Sequence, residues 1–267
     1  MNPARSARSS AELWRLATVS LLACAPSLAA AELSNDTLLG PGLRSRPAYD
    51  GSASQHTELV PAVRYLGAPW FVRSTQGVLE GGLRVELASG LHVGTQLAYE
   101  PGRRASESDF LAQHGLADIA RGVSLGAQLE WDQHVGPVPV TLLARARRHA
   151  HADLGTQLDL RLSAGIFQSG PLAAGLFAQA TAANAKSARA LYSITPQQAV
   201  GGGLPAFDAA GGWLFASAGL LGSLDLATHW AVVGSLEARR LQGSAARSPL
   251  TERVNNHYAS LGLAYRY

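Results

Sequence analysis

The chain has 267 residues, of which 47% are hydrophobic and 15% charged, with 28 Gly, 13 Pro and one Cys. That apolar fraction excludes a disordered chain, and one cysteine excludes an intrachain disulfide scaffold. Charge lies well below the roughly 25% of a soluble domain, yet no run of about 20 apolar residues offers a membrane helix. Low charge without long apolar runs is what strand alternation produces in a membrane β-barrel.

The N-terminus reads as a secretory leader. Arg5, Arg8 and Arg15 form a basic head, Leu16 to Leu28 a short apolar core, and Ala29-Ala30-Ala31 a small-residue cleavage site. Cleavage there makes 1–31 the signal peptide and 32–267 the barrel domain. A competing lipobox, Leu21-Leu22-Ala23-Cys24, would instead leave Cys24 lipidated, but Leu22 fits it poorly. Cleavage after Ala31 removes three Arg and one Glu, leaving 19 basic and 18 acidic side chains. With no Lys/Arg cluster interleaved with aromatics, nucleic acid is not an expected partner.

The body alternates with period two, as strands do. In 78–87, Leu79, Leu83, Val85 and Leu87 oppose Glu80, Arg84 and Glu86. In 91–100, Leu91, Val93, Leu97 and Tyr99 oppose His92, Gln96 and Glu100. In 122–132, Val123, Leu125, Ala127, Leu129 and Trp131 oppose Ser124, Gln128, Glu130 and Asp132. In 158–167, Leu158, Leu160, Leu162, Ala164 and Ile166 oppose Asp159, Arg161 and Ser163. These segments have the ten or so residues a tilted membrane strand needs.

About twelve strands are expected, near 37–46, 57–66, 69–75, 77–87, 91–100, 122–133, 138–149, 154–167, 172–182, 213–224, 229–240 and 256–267, or ten if the first four do not all form. Ala209 to Leu224 is uncharged and has a helical alternative, but it is short and rich in Gly and Ser, which favours a strand. The fold class is therefore all-β: a transmembrane antiparallel up-and-down barrel. Its tight turns (Gly67-Ala68-Pro69, Ser89-Gly90, Gly136-Pro137, Gly170-Pro171) fall on the periplasmic side. The long loops at 47–56, 101–121, 183–212 and 241–255 fall outside. Glu80, Arg84, Glu86, Glu130, Arg145, Arg147, Asp159, Arg161, Glu237 and Arg239 are the expected lumen-lining residues, with Glu100 and Gln128 on the same faces. Mixed signs there either seal a narrow lumen by ion pairing or line a hydrated channel.

The chain ends Ser260-Leu-Gly262-Leu-Ala-Tyr265-Arg-Tyr267, which looks like the terminal assembly signal of outer-membrane barrels. Its edge strand would be read by the barrel-assembly machinery. Further motifs are Gly40-Pro-Gly leading to Pro47-Ala-Tyr-Asp-Gly-Ser52, Gly115-Leu-Ala-Asp118, Tyr192-Ser-Ile-Thr-Pro-Gln-Gln-Ala199, Gly203-Leu-Pro-Ala-Phe207 with Gly211-Gly212, and Leu241 to Pro249. On these the mature chain resembles the MltA-interacting protein (MipA/OmpV) family of outer-membrane proteins. Ser244 departs from the pattern, where the family usually has Asp. The resemblance implies an outer-membrane location amid lipid and lipopolysaccharide. It also implies a scaffold joining a murein transglycosylase to a murein synthase; other members are described as porin-like or as adhesins.

Catalytic chemistry is sparsely supported. His149 and His151, two apart on one strand face near Asp153, form a metal pair without a third ligand at a recognisable spacing. Ser248, Glu252 and His257 are residue types of a hydrolase triad but lack a G-x-S-x-G setting. Gly201-Gly-Gly203 has no following Lys-Ser/Thr to make a phosphate loop. No cofactor, metal or enzymatic activity is expected.

Overall fold

The computed structural model describes residues 37–75, 77–151 and 154–267. The leader with Ala29 and Ala31, Cys24 and Asp153 lie outside the described residues.

Twelve antiparallel strands close into a barrel: β1 (Leu38–Pro47), β2 (Gln55–Leu66), β3 (Trp70–Thr75), β4 (Val78–Ala88), β5 (Leu91–Glu100), β6 (Gly122–Val135), β7 (Val138–His149), β8 (Thr156–Ser169), β9 (Leu172–Ala183), β10 (Gly212–Ala227), β11 (Trp230–Leu241) and β12 (Asn255–Arg266). β1 pairs with both β2 and β12, from Leu38 opposite Arg266 to Ser45 opposite Ala259. Closure gives every strand two neighbours, as a sheet in lipid requires, although the β2–β3 pairing is short. The uncharged segment near 209–224 is strand β10, its alternation blurred by Gly and Ala, which fit either face.

The apolar half of each alternation points outward. Leu83, Val85, Leu97, Leu125, Leu129, Leu160, Leu162, Leu220 and Leu236 are all exposed on the outer wall. This is the inverse of a soluble core and suits a hydrocarbon solvent. Trp70, Trp131, Trp230, Tyr265 and Tyr267 sit at the periplasmic ends of their strands, and Tyr99 and Trp213 at the outer ends. Tyr265 packs edge-on against both Trp230 and Tyr267, with ring centroids 5.3 and 4.9 Å apart.

Loop lengths depart from expectation in two places. The outer connection β3–β4 is as tight as the periplasmic ones, β7–β8 spans only six residues, and β3 has only six residues. The β3–β4 turn passes through Gly77 at φ +77°, beside the Arg44 side chain, where a Cβ would meet the Arg44 Cδ at 2.4 Å. Glycine is therefore required there on two counts, conformation and space.

The remaining outer loops fold into a cap. It contains α1 (Asp109–Gln113), α2 (Ala185–Tyr192), α3 (Pro196–Gly202) and α4 (Gly243–Arg247). Asn184 caps α2, and Thr195 with Gln198 forms a capping box on α3. Two apolar clusters hold the cap: Tyr192, Leu214, Phe215 and Leu241 with their neighbours, and Tyr49, Leu111, Leu116, Ile194 and Leu250 with theirs.

Candidate functional site

The polar half of the alternation meets inside the barrel and forms a belt across the lumen. Glu80 of β4 is its hub: it accepts from Arg73 Nε at 2.5 Å and Arg145 Nη1 at 2.8 Å, and it is 1% exposed. Arg73 also donates to Glu130 at 2.7 Å and Gln128 at 3.0 Å, tying β3 to β6. Arg84 donates to the other Glu130 oxygen at 2.7 Å and to Asp132 at 3.1 Å. On the far side, Asp159 takes Arg147 Nε at 3.0 Å and the Thr181 hydroxyl at 2.7 Å. Arg147 also reaches Glu100 at 2.7 Å, which in turn accepts from Ser124 at 2.8 Å.

Each buried carboxylate thus faces at least one guanidinium, the arrangement under which burying charge is tolerable. Arg161 is held differently: its guanidinium lies 3.9 Å from the centre of the Phe177 ring and donates to Gln179 at 3.4 Å.

The belt separates two cavities. The inner one, about 310 Å³, has Glu130, Asp132 and Arg161 on one wall and Gly42, Gly222 and Gly234 on the other. The outer one, about 240 Å³, lies between belt and cap and is lined by Arg44, Arg103, Arg147, His149, Tyr192 and Tyr258 among others.

A second ion-pair cluster pins the cap to the rim. Arg239 Nη1 donates to both Asp50 oxygens, at 2.8 and 3.1 Å, and Nη2 lies 2.9 Å from Glu237. The Arg239 guanidinium is sandwiched between Phe215 and Tyr258, 3.9 and 4.3 Å from their ring centres, and the Tyr258 hydroxyl donates to Asp50.

The chain matches the MltA-interacting protein MipA family over residues 39–267. It belongs to the MipA family. No curated protein matches it significantly. Among solved structures, an outer-membrane channel from Pseudomonas putida is similar at 11% identity and a TM-score of 0.49, over 91% of this chain and 100% of that one. The translocator domain of the autotransporter NalP from Neisseria meningitidis is similar at 12% identity and a TM-score of 0.44, over 86% and 88%. This MipA-family barrel is an outer-membrane protein.

Apart from Gly40-Pro-Gly42 in β1, the family's sequence blocks fall in or at the base of the cap of the MipA barrel. Asp50 and Ser52 sit in the β1–β2 loop, Tyr192 to Ala199 runs through α2 and α3, and Leu241 to Pro249 covers α4. The hydroxyl of Ser244, where Asp is usual, accepts the Ala210 amide at 3.1 Å, a bond a carboxylate would also make.

Of the ten residues expected in the lumen, Glu80, Arg84, Glu130, Arg145, Asp159, Arg161, Glu237 and Arg239 are buried on the inner face, and Arg147 is half-buried there. Glu86 is exposed near the periplasmic end, where it accepts the Gly90 amide at 3.1 Å and closes the β4–β5 turn. Ser260, Gly262 and Tyr265 lie in the terminal strand β12 and Tyr267 directly follows it; Ser260 pairs with Ser235 through their hydroxyls at 2.7 Å. Alternation does not mark Arg73 or Asp50, both central to the two ion-pair clusters. Arg73 lies in a strand too short to show alternation, and Asp50 lies in a loop, where its signal was only its place in a family block.

The triad residues do not meet as a triad. The Ser248 hydroxyl donates to the Tyr192 carbonyl at 2.6 Å and accepts the Leu250 amide at 3.1 Å. Glu252 accepts from the Tyr49 hydroxyl at 3.3 Å and the Ala53 amide at 3.0 Å, while His257 is exposed on the wall. The His149 and His151 rings are 5.9 Å apart, and no metal-binding cluster of three or more such side chains forms among the described residues.

Two cap tyrosines make the outer closure sensitive to alkali. Burial pushes the Tyr49 hydroxyl up, helped by Glu252, and burial likewise raises Tyr192. The folded cap holds both neutral, so its stability is full below the ordinary tyrosine value of about 10 and falls as pH rises beyond it. Above that pH the outer loops are expected to become protease-sensitive, with Tyr49→Phe moving the onset upward. Unchanged sensitivity across the tyrosinate absorbance titration would contradict this.

Proposed function

We propose that this MipA-family protein is a non-enzymatic, non-conducting barrel that serves as an outer-membrane platform for murein-processing enzymes. The observation that carries the closed reading is the belt: Arg73, Glu80, Arg145 and Asp159 link β3, β4, β7 and β8 through the lumen. With the cap above it, a solute would have to break several low-dielectric ion pairs to pass. The non-enzymatic reading is supported by the structural employment of Ser248 and Glu252.

The platform role is supported by the family's description as MltA-interacting. The exposed rim offers surface for it: Trp70, Val135, Leu226 and Tyr267 are each more than half exposed at the periplasmic end. A membrane-anchored murein transglycosylase would meet the barrel there, and a murein synthase would be held through it.

The first test is conductance of the purified, refolded barrel in a planar lipid bilayer. Silence is expected; reproducible single-channel steps would overturn the closed reading in favour of a narrow pore. The second is enrichment of murein transglycosylase on the immobilised barrel over an unrelated barrel. No enrichment would overturn the platform role. Lipid or murein hydrolysis abolished by Ser248→Ala or His257→Ala would overturn the non-enzymatic reading.

A further inference from the structure

The barrel wall has one short seam. β2 and β3 share three pairs, from Arg64 with Arg73 to Leu66 with Phe71, before β3 ends and the chain turns back through Gly77. β2 runs on outward to Gln55 with only β1 beside it. Above the hairpin tip the free edge of β2 therefore has no strand partner among the described residues, and a notch separates it from the outer end of β5. Leu59 registers the missing neighbour: it is 80% exposed, against 53% for Leu43, its partner on β1. An open sheet edge is tolerated at membrane depth only where it borders a hydrated cavity or is covered.

Behind this notch lies the outer cavity, whose lining includes Thr75 and Val78 of the hairpin and Gly102 beyond β5. Three of its basic side chains are incompletely partnered among the described residues. Among the described residues the Arg44 guanidinium makes no hydrogen bond; its ion pair is a 3.6 Å approach to Glu58, whose two oxygens already accept from Arg46 at 2.8 and 3.2 Å. Arg103 donates to the Leu191 carbonyl at 3.1 Å, while its Nε is buried without a partner. Burial also lowers the Arg103 pKa, with only a longer-range carboxylate pull, from Asp118, against it. The Nδ1 of His149 is likewise buried and unpartnered.

We propose that this cavity takes the phosphate headgroup of a membrane lipid entering sideways through the notch. The phosphate sits on Arg44 and Arg103, and the acyl chain lies outside against Leu59 and Leu43. Guanidinium forks match phosphate oxygens in geometry, and such charge-assisted bonds strengthen in a low-dielectric site. A lipid is favoured over a free anion because the cap closes the top of the cavity, whereas the notch opens toward the bilayer and is rimmed by lipid-facing leucines.

The test is binding of labelled phosphatidylglycerol to the delipidated full-length barrel in neutral detergent, compared with diacylglycerol, which lacks the phosphate, and with inorganic phosphate. One phosphatidylglycerol per barrel is expected. The Arg44→Gln/Arg103→Gln variant, which removes both guanidinium groups, should bind at least about tenfold more weakly. Arg44→Lys/Arg103→Lys should retain part of the affinity, which separates charge loss from misfolding. Leu59→Asn should weaken lipid binding and leave inorganic phosphate unaffected. Equal binding of diacylglycerol, or undiminished binding by the glutamine variant, would overturn the site. Inorganic phosphate binding as tightly as the lipid would overturn the lipid as its occupant.

Discussion

Glu80→Ala is expected to convert a silent barrel into a conducting one and to lower its thermal stability. Glu80 is the carboxylate that two guanidinium groups share, Arg73 at 2.5 Å and Arg145 at 2.8 Å, and it is almost fully buried. Removing it leaves both arginines facing the same space. Arg73 keeps Glu130, while Arg145 keeps only the longer 3.5 Å contact to Asp159. Breaking one side of a buried ion pair costs about 3–5 kcal/mol, because the stranded charge must be rehydrated in place.

In a barrel that rehydration has a direct route, since water can enter from the inner cavity. The belt would then open at the point where β3 and β7 are tied through β4, and the surplus positive charge would favour anions. Anion-selective steps in a planar bilayer, together with a lowered melting temperature, are the expected result. Glu80→Gln should fall between, keeping an acceptor while losing the charge. A silent Glu80→Ala barrel with wild-type melting would mean that the belt neither seals the lumen nor supports the wall.

The parts of this architecture legible in the sequence are those that alternation encodes. Strands β4, β5, β6 and β8 put Leu and Val on one face and Glu, Arg or Asp on the other. A one-residue slip would turn every charge into lipid, so the pattern fixes which residues face the lumen. The pairing of those charges is not encoded in any single strand. Glu80 meets Arg145 because the curvature of the closed wall turns β4 and β7, three strands apart, toward a shared narrow interior, and stagger decides the level at which they meet. Arg73 was missed because β3 has six residues, too few to alternate convincingly, and that same shortness creates the notch beside β2. The cap was read as loops since its short helices carry little periodicity. Its anchors, Asp50 and Tyr258, come from elements 208 residues apart.

Asp50→Ala is expected to loosen the cap without opening the belt. Asp50 accepts two bonds from Arg239 and one from Tyr258, joining the β1–β2 loop to β11 and β12. Arg239 retains Glu237 and its place between Phe215 and Tyr258, so the arginine itself stays seated. What is lost is the tether on the loop. Bonds to charged groups contribute about 1.5–3 kcal/mol; the lower end applies because the Asp50 side chain is 30% exposed and partly screened. A loss of about 1.4 kcal/mol raises the open population of the cap about tenfold. Protease added outside intact cells should therefore cut the loop around 48–54 about tenfold faster in Asp50→Ala than in the wild type, while heat-modifiability and bilayer silence remain. Asp50→Asn should lie between, since an amide oxygen still accepts from Arg239. In the Glu80→Ala/Asp50→Ala double variant the two barriers stand in series, so conductance should exceed that of Glu80→Ala alone. Equal conductance in the single and double variants would show that the cap contributes nothing to closure and that the belt alone holds the lumen shut.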